Sequence, residues 1–201
     1  MWLIVGLGNP GPQYAETRHN LGFLALDALA SRLGADPFRE KFSAQLSRAR
    51  LGPGPDDEAA LLKPQTFMNL SGQSVQPAAA FFKVPVARIV VLHDELDVPF
   101  GEVRIKQGGG HAGHNGLRSL ISSLGSPEFV RVRLGIGRPP PQFREVADYV
   151  LARFDPVERA SVPDVCTRAV DVVRDLAAHG LTATMNRHHA KTPPRNRPPG
   201  R

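Results

Sequence analysis

The sequence predicts an α/β fold in which buried strands alternate with amphipathic helices within one domain. Two runs, Leu3-Ile4-Val5 with Leu7 and Ile89-Val90-Val91-Leu92, are apolar without alternation, the pattern of strands covered on both faces. Between them stand helical patterns, of which Leu21, Leu24, Ala25, Ala28, Leu29 and Leu33 is the clearest. Both strand runs end in polar, chemistry-bearing residues, and open α/β sheets place ligands at the carboxyl ends of their strands. A chain of 201 residues is long enough to bury such a core in a single unit.

The first strand enters Gly6-Leu7-Gly8-Asn9-Pro10-Gly11, which matches the G-x-G-x-x-G spacing of a dinucleotide phosphate loop. The physics of that loop is missing. A helix must open inside the motif so that free N–H groups face the pyrophosphate. Here Pro10 and Pro12 lack that donor, and the next helical pattern waits until about Asn20. The acid wanted at the end of a second strand is also absent, because Asp27 falls inside the helical pattern. The segment reads instead as a rigid loop presenting Asn9, Tyr14, His19 and Asn20. The helix from Asn20 to Leu33 then stops at Gly34, a residue suited to a left-handed terminus. Ser43 to Leu51, the turn Gly52-Pro53-Gly54-Pro55 and the return run Ala59 to Leu62 predict a hairpin.

After the hairpin, Lys63-Pro64-Gln65-Thr66-Phe67-Met68-Asn69-Leu70-Ser71-Gly72 again sets polar groups past a strand end. Asn69 and Ser71 read either as caps or as site residues for the helix that continues through Val75, Ala79 and Phe82. Pro77 predicts a late start near Ser74, or a kink. The strand Ile89–Leu92 runs into His93-Asp94-Glu95-Leu96-Asp97, where Asp94 reads either as a turn former or as a carboxylate that orients another side chain. Gly108 to Gly116 predicts a flexible loop carrying His111, His114 and Asn115. It opens a helix, Leu117 to Leu124, whose N-terminal N–H groups favour developing negative charge and which Gly125 stops. Arg138-Pro139-Pro140-Pro141 breaks the chain, Val146 to Phe154 forms an amphipathic flap, and a last helix from Val157 to Ala178 ends at Gly180, with Pro163 a candidate break.

Net charge is +6, but five basic residues and no acid lie from Arg187 onward, which leaves +1 for the remainder. The charge total is mostly tail. That Pro- and Arg-rich stretch, 187–201, is expected to be disordered, either a solvated extension or a weak aid in holding RNA. The local cations are more informative. In Val103-Arg104-Ile105-Lys106 and Arg131-Val132-Arg133-Leu134, alternation puts the cations on one face, which predicts a phosphate-binding surface. No apolar run approaches twenty residues, so a soluble, cytoplasmic protein with no membrane partner is expected.

Elimination narrows the chemistry. No G-x-S-x-G elbow is present, and Cys166 sits at helical spacing among Val162, Val165, Ala169 and Val173, as a buried small residue would. His111 and His114 share a glycine loop, and no fixed three-ligand set is readable, so neither metal nor cofactor is expected. What remains is water as nucleophile, a histidine as base, a carboxylate to fix its tautomer, and amides to hold water and oxyanion. That equipment suits an activated ester, because an alcohol leaves more readily than an amine.

The stretches VGLGNPGPQYAETRHNLGF, KPQTFMNLSG, HDELDVPFG, KQGGGHAGHNGLRS and RVRLGIGRP, in that order, closely resemble bacterial peptidyl-tRNA hydrolases over residues 1–187. The resemblance implies metal-free hydrolysis of the ester joining a peptide to the terminal ribose of tRNA, recycling tRNA from aborted translation. It implies His19 as base, Asp94 as its orienting carboxylate, and Asn9, Asn69 and Asn115 as amides holding substrate and water. It also implies Tyr14, Met68 and His114 lining the site, and Lys106 with Arg133 as a pair gripping a phosphate of the tRNA; Asn20, on the same polar loop as His19, is expected to contact substrate with them. The implied fold is a single domain, 1–186, with a twisted, mixed, largely parallel sheet between helices, and a monomer. Ala112 stands where the family often has glycine. A binding protein on this fold is the rival, since plant organelle splicing cofactors resemble the same family.

Overall fold

Residues alternating along β1 (Trp2–Gly6) point into two different cores, which is why the strand carries no polar face. Ile4 belongs to one cluster, with Leu26, Leu61, Val90 and Val132, while Leu3 and Val5 belong to the other, with Leu62, Val75, Val91 and Leu120. All of these side chains are buried, each worth roughly 1.5–3 kcal/mol of transfer free energy. The structure, a computed structural model, describes residues 1–189.

β1 lies at the centre of a seven-stranded sheet with order β2-β3-β4-β1-β5-β7-β6. The strands are β2 (Arg39–Lys41), β3 (Ala44–Arg50), β4 (Glu58–Pro64), β5 (Ile89–Glu95), β6 (Val103–Gln107) and β7 (Val130–Gly135). β4, β1, β5 and β7 are mutually parallel, and antiparallel neighbours β2, β3 and β6 complete the two edges, so the sheet is mixed with a parallel centre. α1 (Leu21–Leu33) and α5 (Pro156–His189) pack against each other over one face, and α2 (Gly72–Phe82) with α3 (Asn115–Leu124) over the other. The short α4 (Val146–Leu151) sits against the turn that follows β1.

The glycine motif after β1 is explained by this packing. A Cβ at Gly22 would overlap the carbonyl oxygens of Leu7 and Leu92, and one at Gly6 would lie 2.5 Å from the Gly22 carbonyl oxygen. Glycine here lets α1 approach the sheet closely, and no helix opens on the Pro10–Gly11 turn to receive a pyrophosphate. Gly34 and Gly125 end their helices with φ of 58° and 65°, as their positions in the sequence predict.

Four local expectations change. α2 begins at Gly72, ahead of Ser74, because a 3-10 turn at Met68–Leu70 leads directly into it and places Pro77 within the helix. Neither Asn69 nor Ser71 caps that helix; the Ser71 hydroxyl donates to the Met68 carbonyl. β2 has no strand signal, being Arg39-Glu40-Lys41, and pairs with β3 across a tight turn in which Phe42 and Ser43 both take positive φ. The last helix does break at Gly180, with φ 76° and ψ 173°, yet a further helical stretch continues to His189, while Pro163 lies inside the helix without dividing it. The helix therefore includes Arg187–His189, and the remainder of the basic tail lies outside the described residues. No helix among those described is long and apolar enough to cross a membrane.

Candidate active site

Asp94 is the penultimate residue of β5, held on a strand paired with β1 on one side and β7 on the other. The buried apolar run continues through it, since His93 and Asp94 are buried as completely as Leu92. An acid there needs partners, because burial alone would raise its pKa. Two imidazoles supply them. His19 Nδ1 lies 3.0 Å from each carboxylate oxygen, and His114 Nε2 lies 3.0 Å from Oδ1. These contacts outweigh burial and hold the Asp94 carboxyl far below the ordinary carboxylate range.

Backbone contacts assign the protons. His114 Nδ1 accepts from the N–H groups of Gly116 and Leu117, at 3.1 and 3.4 Å, capping α3, so its proton resides on Nε2 and is donated to Asp94. His19 likewise donates from Nδ1, which leaves its Nε2 with a free lone pair beside the cavity. Burial pushes the His19 pKa down, but the charge of Asp94 and the hydrogen bond to it prevail, raising it above the usual 6.5. His93, fully buried, donates from Nδ1 to the Asp94 carbonyl at 2.7 Å. Burial first, then the neighbouring His114, lowers its pKa to about 3, so it stays neutral and packs edge-on to the His114 ring.

The cavity beside this cluster measures about 840 Å³. Its lining brings together Asn9, His19, Met68, Asn69, Asp94, His114 and Asn115 from five separated stretches. Asn20 does not line it. Its side chain instead clasps Asn9, accepting from the Asn9 N–H at 2.8 Å and donating to the Asn9 carbonyl at 2.9 Å. Asn9 Oδ1 in turn accepts from the Met68 N–H at 2.8 Å, which fixes the amide's orientation. Tyr14 is also outside the lining; its carbonyl closes the turn by accepting from Thr17. Asn69 and Asn115 are exposed at the cavity with side-chain amides unpaired among the described residues.

His19, Asp94 and His114 offer three ligand atoms within 4.8 Å of one another, close enough for a metal ion. The donor set does not fit one. Coordination through His114 Nε2 requires its proton on Nδ1, where it would meet the Gly116 and Leu117 N–H donors head-on. Cys166 is likewise unsuited to nucleophilic chemistry: it is buried, and burial with the nearby Asp27 pushes its thiol up to about 11.

A family model described as peptidyl-tRNA hydrolase matches residues 3–196. The chain belongs to the peptidyl-tRNA hydrolase family. It is 60% identical over 201 residues to a peptidyl-tRNA hydrolase of Sorangium cellulosum, covering 100% of this chain and 89% of that one. A peptidyl-tRNA hydrolase of Geotalea daltonii is 51% identical over 189 residues, 94% of this chain and 96% of its own. The crystal structure of peptidyl-tRNA hydrolase from Acinetobacter baumannii superposes with a TM-score of 0.84 at 38% identity, covering 94% and 95% of the two chains. A peptidyl-tRNA hydrolase in complex with n-propanol gives 0.85 at 38% identity, covering 96% of each.

The basic strand face of this family member differs from what alternation predicts. Arg104 stands opposite Arg133 and Lys106 opposite Arg131, so all four do share a face of the β6–β7 ladder. Arg131 is nevertheless buried. It donates to the carbonyls of Gly109 and Gly110 and stacks 4.7 Å from the Phe129 ring, bracing the glycine segment that leads to His114. Arg133 is paired with Glu95 at 2.8 Å and Arg104 with Glu102 at 2.7 Å. Lys106 has no carboxylate partner among the described residues. Partial burial and the charges of Arg133 and Arg131 lower its pKa.

Two buried side chains next to the site residues escape sequence reasoning entirely. Arg18, buried between Thr17 and His19, binds carbonyls more than 130 residues away. His93, to which the sequence assigns no role, is buried and packs edge-on against the His114 ring.

Proposed function

We propose that this protein hydrolyses the ester between a peptide and the 3′-terminal ribose of tRNA, releasing tRNA from aborted translation. The observation that carries the reading is His19 Nδ1 held 3.0 Å from the Asp94 carboxylate, with Nε2 left free at the cavity. A neutral imidazole so oriented removes a proton from water as the oxygen attacks the acyl carbon, and Asp94 stabilises the imidazolium that forms. Asp94 does not itself take up the proton. Asn69, Asn115 and the clasped Asn9 are the amides available to orient that water and to stabilise the oxyanion. The alkoxide of the ribose then leaves with a proton returned from His19.

Lys106 with Arg133 is the pair proposed to hold a tRNA phosphate, and Met68 and His114 shape the pocket floor. Tyr14 and Asn20 act from behind the pocket wall by fixing the loop. The enzyme works without metal, as a cytoplasmic monomer. The test is incubation with peptidyl-tRNA with and without a strong chelator. Release of free peptide and intact tRNA, at the same rate in both, is expected. An intact ester would overturn the hydrolase reading, and release lost only under chelation would overturn the metal-free mechanism.

A further inference from the structure

The 3-10 turn Arg18–Asn20 carries both the proposed base and a buried arginine whose side chain turns away from the cavity towards α4. Arg18 Nη1 donates to the carbonyl of Arg153 at 2.9 Å and, at longer range, to those of Ala152 and Tyr149. Nη2 pairs with Glu158 at 2.5 Å, and the guanidinium lies 4.4 Å from the centre of the Tyr149 ring. The backbone adds to this, with the Arg18 N–H donating to the Ala152 carbonyl and a β-bridge joining Thr17 to Arg153. The Ala152 and Arg153 carbonyls lie just past the end of α4, and the Tyr149 carbonyl already accepts the Ala152 N–H that closes the helix, so the guanidinium grips the chain where α4 ends.

The other side of α4 is a wall of the cavity. Val146, Ala147, Val150 and Leu151 line it, and Val146 and Leu151 remain 48% and 43% exposed, an apolar surface for an acyl chain. Displacement of α4 therefore pulls on the residue adjacent to His19, whose ring is held on Asp94 at its other end. We propose that Arg18 is a positioning residue that ties the α4 wall to the turn presenting His19, so that an acyl group seated on α4 sets the imidazole against Asp94. The proposal rests on the hydrolase reading for its substrate, and on geometry alone for the tie.

The test uses Arg18→Lys, which keeps the charge but cannot reach three carbonyls and Glu158 at once. The readouts are kcat and KM for peptidyl-tRNA, the Kd for deacylated tRNA, and the His19 pKa by NMR titration. The expected result is a kcat lower by about tenfold, with KM and Kd within roughly twofold, and a His19 pKa that falls as the ring loosens from Asp94. Should Arg18→Lys fail to fold, Glu158→Gln, which removes the charge of one partner and leaves the carbonyls, is expected to lower kcat by about two- to threefold and to move the His19 titration in the same direction. Unchanged kcat and unchanged His19 titration, with only a lower Tm, would reduce Arg18 to a structural residue and overturn the proposal. A wild-type protein that releases no peptide would sink the hydrolase reading, while the His19 titration would still decide the tie.

Discussion

At the cavity, polar side chains from separate loops converge on one buried carboxylate, whereas on the β6–β7 face three of the four cations are drawn apart into different contacts and Lys106 keeps no carboxylate partner among the described residues. The cause is the same in both places: a buried charge must be satisfied. Asp94, buried, collects two imidazole donors. Arg131, buried, collects carbonyls of the glycine segment and is withdrawn from the surface. Strand alternation decides which face a side chain points to, and burial decides whether it remains available to a ligand.

The comparison is most easily broken at the base. His19→Ala is expected to lower kcat by about 10²- to 10⁴-fold with tRNA affinity nearly unchanged. Near-normal turnover would move the chemistry elsewhere in the cavity. Asp94→Asn is expected to cost about a hundredfold in kcat, because it removes the charge that stabilises the imidazolium and turns one of the two acceptor oxygens shared by His19 and His114 into an amide donor, which disturbs the tautomer. Equal losses in tRNA binding would mean Asp94 supports the fold rather than the reaction. Single-turnover rates and filter binding separate these outcomes.

Arg131→Met sharpens the contrast, since it tests a cation by sequence that is a brace by structure. A kcat loss of about tenfold and a lower Tm are expected, with the salt dependence of tRNA binding unaltered. A shallower salt slope would return Arg131 to the phosphate surface. Lys106→Ala should do the reverse: weaker tRNA binding by a few-fold, a log–log salt slope reduced by about one, and kcat retained. An unaltered slope would remove Lys106 from the phosphate contact.

Period and punctuation made much of this molecule legible. The unalternating runs of β1 and β5 announced central strands, Gly34 and Gly125 announced helix ends, and Pro10 with Pro12 excluded the phosphate-loop reading of the glycines. Edge strand β2 was illegible because three charged residues carry no strand preference; its place is set by pairing with β3. His19 and Asp94 were legible as candidates because each follows a strand or sits in a polar loop, but their contact spans 75 residues and is a property of the fold. Arg18 was illegible for a stronger reason. Nothing local distinguishes it from a surface arginine, and its role depends wholly on where α4 comes to rest.

The central claim is that a neutral His19, steadied by an ionised Asp94, takes the proton from water. The most direct test is the pH dependence of kcat/KM for wild type and Asp94→Asn. Because the neutral imidazole is the active form and its pKa is raised, wild-type activity should climb with pH through a midpoint above 6.5. In Asp94→Asn, burial is left without its counterweight, so the residual activity should climb through a midpoint below 6.5. An acid limb at the same pH in both proteins would contradict the account.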